Sequence, residues 1–143
     1  MATSDFDQFV EQYHLALDEF FRGNPEPVEQ LYSHREDASL ANPFGPVASG
    51  WKQIAETIGR AASNYSEGEA TGFDRAAKYV TPDLAYIVEV ERFKAKVGGS
   101  EEIASGALRV TSILRSEDGA WRIVHRHADP ITTVRPAESV IQK

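Results

Sequence analysis

Apolar residues recur at steps of three and four near the start of the chain: Phe6, Phe9, Val10, Tyr13, Leu17, Phe20 and Phe21. That spacing draws one continuous stripe along a helix. Ser4 can cap its first turn, where Asp5 and Asp7 suit the positive end of the helix dipole. Gly23 can close it in the left-handed conformation. Asn24 then caps a short second helix with Pro25 in its first turn and Val28, Leu31 and Tyr32 on its buried side. Ser39 to Asn42 is a short extended piece, stopped by the rigid loop Asn42-Pro43-Phe44-Gly45-Pro46. A third helix follows, capped by Ser49 and striped by Trp51, Ile54, Ile58, Ala61, Ala62 and Tyr65.

After Gly68 the period changes from that of a helix to that of a strand. Thr71 to Val80, Ala85 to Val97, Ile103 to Arg115 and Trp121 to Ala128 read as strands. Pro82-Asp83, Gly98-Gly99-Ser100 and Ser116-Glu117-Asp118-Gly119 break them, and such short breaks imply antiparallel hairpins. Helices segregated from a run of antiparallel strands define an α+β class. Three N-terminal helices packed on a strongly curved, mainly antiparallel sheet would form a cone with an internal pocket.

The 143 residues suit a single domain, with its core at about 4–130 and a C-terminal tail at 131–143. A formal charge of −7 and no Lys/Arg run argue against nucleic acid and against an anionic membrane surface. No apolar run approaches the ~20 residues of a membrane helix. With no cysteine there is no disulfide, no thiolate nucleophile and no Cys-ligated metal. These features lead us to expect a cytoplasmic protein without cofactors.

Three strings carry a family resemblance. Phe9-Val10-Glu11-Gln12-Tyr13 resembles the ketosteroid isomerase helix that bears the oxyanion-hole tyrosine. Glu36-Asp37-Ala38-Ser39-Leu40-Ala41-Asn42-Pro43-Phe44-Gly45 resembles the segment in which that enzyme's general-base aspartate precedes proline. Asp118-Gly119-Ala120-Trp121-Arg122-Ile123-Val124-His125-Arg126-His127 resembles the final strand of SnoaL-like proteins and kinase-association domains. Over roughly residues 4–130 the chain thus resembles the nuclear-transport-factor-like superfamily, which also holds scytalone dehydratase. The resemblance implies a small-molecule ligand and a homodimer formed through the sheet.

It also places Tyr13 at the oxyanion tyrosine, Asn42 at the general base and Thr111 at the position of a protonated aspartate. An amide cannot accept a proton at neutral pH, so ketosteroid isomerisation by that route is not expected. Tyr13 could donate to a developing oxyanion or serve as a core aromatic. Asn42 could orient a ligand or close its own turn. Phe44 and Trp51 are expected near the cavity mouth. His14, one residue round the helix, should face solvent, and Glu89 and Glu91 should face solvent or neighbouring arginines. Arg109 and Arg126 could grip a carboxylate or enolate, or pair with strand carboxylates such as Glu89 and Glu91.

Two registers are open for the last strand. Hydrophobicity points Trp121 and Ile123 inward, bringing His125, His127 and Asp129 to the cavity as a general-base set. The isomerase-like register instead points Val124, Arg126 and Ala128 inward and is favoured slightly; a single bulge would exchange the two. His-x-His-x-Asp can also ligate metals, but the pattern is common by chance and no metal is expected. Two functions remain open. One is an isomerase, cyclase, dehydratase or hydrolase acting by acid–base chemistry on a partly apolar carbonyl compound. The other is a non-catalytic ligand-binding or dimerisation domain.

Overall fold

The computed structural model describes residues 4–142. The elements run α1 (Asp5–Phe21), α2 (Glu26–Leu31), β1 (Ser39–Ala41), β2 (Ala48–Ser49), α3 (Trp51–Ala62), β3 (Tyr65–Val80), β4 (Leu84–Val97), β5 (Ala104–Glu117) and β6 (Ala120–Asp129). A 3-10 turn, Ala137–Val140, lies in the exposed tail. The six strands form one curled sheet in the order β2-β1-β6-β5-β4-β3. Strands β3 to β6 make an antiparallel meander, while β1 joins β6 in parallel. The α+β expectation holds. No helix of the described residues is long and apolar enough to cross a membrane.

The helix signals act much as the sequence implies. Ser4 Oγ accepts the Asp7 N–H, and Gly23 takes a φ of 95° after α1. Two caps differ from expectation. Pro25 rather than Asn24 is the N-cap of α2, although Asn24 Oδ1 accepts the Glu26 N–H at 3.4 Å. Gly50, at φ 83°, caps α3 in place of Ser49, because Ser49 is drawn into the unforeseen edge strand β2. Strand β3 also begins earlier than the composition suggests, at Tyr65. Gly68 lies inside it because the chain crosses too close to α1 for any side chain: a Cβ there would sit 2.3 Å from the Phe21 carbonyl oxygen.

The core fills the hollow between helices and sheet. Phe21 stacks on Phe93 at 4.4 Å, and Tyr65 meets both rings edge-on. The inner face of β4 carries Ala85, Ile87, Glu89, Glu91, Phe93 and Ala95. Glu89 and Glu91 are therefore buried rather than in solvent, since they share the parity of Ile87 and Phe93, and each meets an arginine, Arg75 and Arg126 respectively. The inner face of β5 carries Leu108, Val110, Ser112 and Leu114. Its alternation sends Arg109, Thr111 and Ile113 to the outer face.

Strand β6 combines both of its expected registers. Ile113 pairs with His125 while Leu114 pairs with Ile123, leaving Val124 as an extra residue in a bulge. Ile123 faces inward before the bulge; Arg126 and Ala128 face inward after it. His125 and His127 are thereby turned to the outside of the sheet. The bulge resets the alternation so that apolar bulk closes one end of the core and an arginine enters its middle.

Candidate functional site

The middle of the core holds a polar network drawn from four elements. Arg126 donates from Nη1 and Nη2 to the two carboxylate oxygens of Glu91, both at 2.7 Å. Nη1 also donates to the Tyr13 hydroxyl at 2.6 Å, and that hydroxyl lies 2.8 Å from Ser112 Oγ. Tyr13 and Glu91 are each 1% exposed and Arg126 is 7% exposed. Because the phenol oxygen accepts from Arg126, its own proton is satisfied by donation to Ser112. Burial raises the Tyr13 pKa above its ordinary value, more than the neighbouring guanidinium lowers it. Burial opposes the charge on Arg126, but Glu91 and Tyr13 outweigh that and hold its pKa well above the usual arginine value. This is a charge-balanced cluster in which both acidic oxygens are taken.

Arg126 also forms part of the wall of a mostly apolar pocket of about 40 Å³. Leu17, Val28, Leu40, Ile58 and Leu108 line the pocket, and Asn42 and Phe44 stand at its outer side. Tyr32 and Tyr65 also belong to the wall; burial raises both phenol pKa values, that of Tyr65 to about 12. The Tyr32 hydroxyl is committed to the Ser39 carbonyl. Three of the five Arg126 side-chain N–H groups are used by Glu91 and Tyr13, and two are not engaged by either.

The expected site is only partly gathered. Tyr13 and Asn42 do not share a wall: Tyr13 lies a layer behind Arg126, which lines the pocket in its stead. Asn42 Oδ1 accepts the Phe44 N–H at 2.9 Å, closing its own turn. Thr111 lies on the outer face, and its neighbour Ser112 is the residue that meets Tyr13. Trp51 is half-buried against His34, with ring centroids 3.7 Å apart, and is not on the pocket wall.

His125, His127, Arg109 and Thr111 surround a separate open hollow on the outer face. Asp129 belongs to that side of the sheet. Arg109 grips it through Nε at 3.0 Å and Nη2 at 2.7 Å, and His127 Nε2 lies 3.0 Å from it. His125 Nδ1 bonds Ser39 Oγ at 2.7 Å; burial, then His127, lowers its pKa. Among the described residues no cluster of side chains fits a metal.

One polar position was misjudged from sequence. His14, expected in solvent, is half-buried, stacked on Phe73 at 3.7 Å and 2.7 Å from Glu89 Oε1. Arg75 donates to the other Glu89 oxygen at 3.2 Å. Ser112 was missed as the partner of Tyr13, whereas the pairing of Arg126 with Glu91 is one of the alternatives the sequence offered. The signal for Glu91 was its shared parity with Ile87 and Phe93.

Comparison with known proteins agrees with this architecture. A nuclear transport factor 2-like protein from Salmonella enterica superposes with a TM-score of 0.75 at 23% identity, covering 92% of each chain. A ketosteroid isomerase-like protein from Erwinia carotovora gives 0.67 at 18% identity, covering 89% of this chain and 94% of the other. A cystatin-like protein from Nostoc punctiforme gives 0.67 at 14% identity, covering 91% of each. At such identities the likeness speaks for the fold. No curated protein matches the sequence. The sequence profile of the SnoaL-like domain, however, matches residues 7–132, so the chain belongs to the SnoaL-like domain family.

Proposed function

We propose that this protein binds a small, largely apolar molecule bearing one hydrogen-bond acceptor, and that it does so without transferring a proton. The observation that carries this reading is the make-up of the pocket wall. Its one charged side chain is Arg126, already paired with Glu91, and its remaining polar groups are amide and phenol. A general base needs an acceptor within hydrogen-bond reach of the ligand and a pKa near the working pH. The buried carboxylate nearest the pocket is spent on Arg126, and the imidazoles of β6 lie across the sheet. A guanidinium with two N–H groups not engaged by Glu91 or Tyr13 suits a ketone or similar oxygen.

The pocket is far smaller than the ~300 Å³ at which ligand sites typically begin. Phe44, half-exposed and packed edge-on to Tyr65 at 5.9 Å, walls the pocket on its outer side. Rotation of this ring is the simplest way to admit a ligand, because Pro43 and Pro46 stiffen the backbone around it.

The test uses 2-octanone, an enolisable ketone. Titration should show saturable binding that is lost in Leu108→Trp, which fills the pocket. In heavy water the protein should add no deuterium beside the carbonyl. Protein-dependent exchange at those carbons, abolished by Leu108→Trp, would mean that the site performs acid–base catalysis.

We also propose a homodimer through the outer sheet face, in a cytoplasmic setting that suits a cysteine-free chain. Tyr79 and Tyr86 are opposite one another on β3 and β4, and with Leu84 they leave 40% to 59% of their surface exposed. Such a patch is unusual on a lone subunit. Sedimentation at micromolar concentration should give twice the chain mass, and Tyr86→Glu should halve it. A wild-type monomer refutes the dimer.

A further inference from the structure

Outside the apolar pocket lies a second, larger hollow of about 300 Å³, between the proline-bearing loop and α3. Asn42, Phe44 and Ala61 belong to the walls of both. The two spaces are thus neighbours, with the Phe44 ring at their common boundary. The outer cleft has a different chemistry. Asn42, Gln53, Glu56, Arg60 and Asn64 contribute to its wall.

Two of these amides have their acceptor ends occupied. Asn42 Oδ1 takes the Phe44 N–H at 2.9 Å, and Gln53 Oε1 takes the Ser49 N–H at 3.0 Å. Each bond fixes which end of the amide is engaged, so the NH2 ends are what both side chains have left to offer. Arg60 adds a cation. Most arginines of this protein are neutralised by carboxylates, among them Arg22, Arg75, Arg92, Arg109, Arg115 and Arg126. Arg60, Arg122 and Arg135 have no carboxylate partner among the described residues, and of these Arg60 stands on the cleft wall. Its side-chain hydrogen bond goes to the Thr57 hydroxyl at 3.4 Å, the long limit for such a bond.

We infer that the outer cleft takes the anionic head of the ligand, so that the molecule is an oxo acid: an apolar body ending in a carbonyl at Arg126, and a carboxylate held by Arg60, Asn42 and Gln53. This rests on the reading of the inner pocket as the ligand site. Glu56, one helical turn before Arg60 on the same wall, limits the charge the cleft accepts. One arginine and one glutamate leave no net positive charge, which favours a monoanion such as a carboxylate over a phosphate dianion. The planar fork of arginine matches a carboxylate edge to edge.

The experiment compares 7-oxooctanoate, its methyl ester and 2-octanone by calorimetric titration at low and moderate salt. The acid should bind most tightly and weaken as salt rises. Arg60→Gln should reduce its affinity by about tenfold while leaving 2-octanone unchanged. Glu56→Gln should strengthen the acid alone. Both positions are exposed on a helix, and unchanged circular dichroism will show that each variant folds. Equal binding of acid and ester, indifferent to Arg60→Gln, would overturn the head-group assignment and leave the inner pocket standing. Failure of all three compounds to bind the wild type would overturn both.

Discussion

Arg126 illustrates how a single side chain acquires its role from its partners. In the core its charge is matched by a bidentate carboxylate and a phenol oxygen, and removing either charged partner strands the other in a medium that cannot solvate it. Arg126→Met should therefore destabilise the fold by about 3–5 kcal/mol in urea titration. The double substitution Arg126→Met with Glu91→Leu should regain most of that loss, since apolar pairs of similar volume replace buried ion pairs well. If the double variant is no more stable than the single one, the pair is not what the arginine requires. Tyr13→Phe removes the acceptor of one Arg126 N–H and the partner of Ser112, and should cost about 1.5–3 kcal/mol. Tyr13 could be picked out in the sequence because an apolar stripe and a family string met on it. Of its companions, Arg126 and Glu91 could be named as a possible pair, but Ser112 could not. Thr111 and Ser112 are adjacent hydroxyl residues, and only the strand's pleat decides which turns inward. In Glu89-Val90-Glu91 the polar residues could face solvent or neighbouring arginines by ordinary alternation; the core takes the second course, turning both inward as counterions.

At the level of elements, the long periodic segments were plain from sequence and their junctions were not. Three helices and four long strands lie where the 3.6 and 2.0 periods place them. Strand β2 is two residues long and pairs only with β1, which is too little for any pattern to register. The sequence allows a bulge in β6 but does not locate it, for a related reason: both parities of that strand contain residues suited to the interior. It yields a specific prediction. Deleting Val124 removes the extra residue without changing which face any other residue occupies, so that variant should retain a cooperative thermal transition. Deleting Ile113 from β5 forces part of that strand to exchange its faces and should abolish the transition. Equal damage from both deletions would show that the bulge has a purpose beyond parity. Gly68→Ala offers a second test. Its new methyl would meet the Phe21 carbonyl, which is backbone and cannot rotate away, so a loss of about 3 kcal/mol is expected by denaturant titration.

Across the whole molecule, acid is the condition that should undo the fold. Burial tends to raise the pKa of Glu89, yet His14 and Arg75 outweigh it and the carboxyl stands below its usual range. Burial is likewise outweighed at Asp129 by Arg109 and at Glu117 by Ser33 and Arg115. A carboxylate whose pKa is lower folded than unfolded adds stability above its unfolded value, and that contribution disappears as pH falls through the folded value. Stability should therefore drop below about pH 4, the ordinary carboxylate range. Glu89→Gln should be less stable than wild type at pH 7, and the difference should begin to shrink below about pH 4 and go on narrowing as the pH falls. A gap that persists unchanged at pH 3 would remove Glu89 from the acid response. The fold class was legible at this scale because helices and strands are segregated along the chain. The site was less so, because it depends on which of two neighbours faces inward at several strands at once.

The kink at Val124 has an evolutionary corollary. The strand displays a guanidinium to the interior and two imidazoles to the exterior, and one unpaired residue keeps them apart. Substitutions elsewhere that favoured regular pairing would rotate the distal half of the strand and deliver a titratable ring to the chamber beside Tyr13. A chain of this kind stands one mispairing away from bringing an imidazole to its interior, so two members with different chemistry in that chamber can be near neighbours in sequence space without exchanging a single residue of that strand.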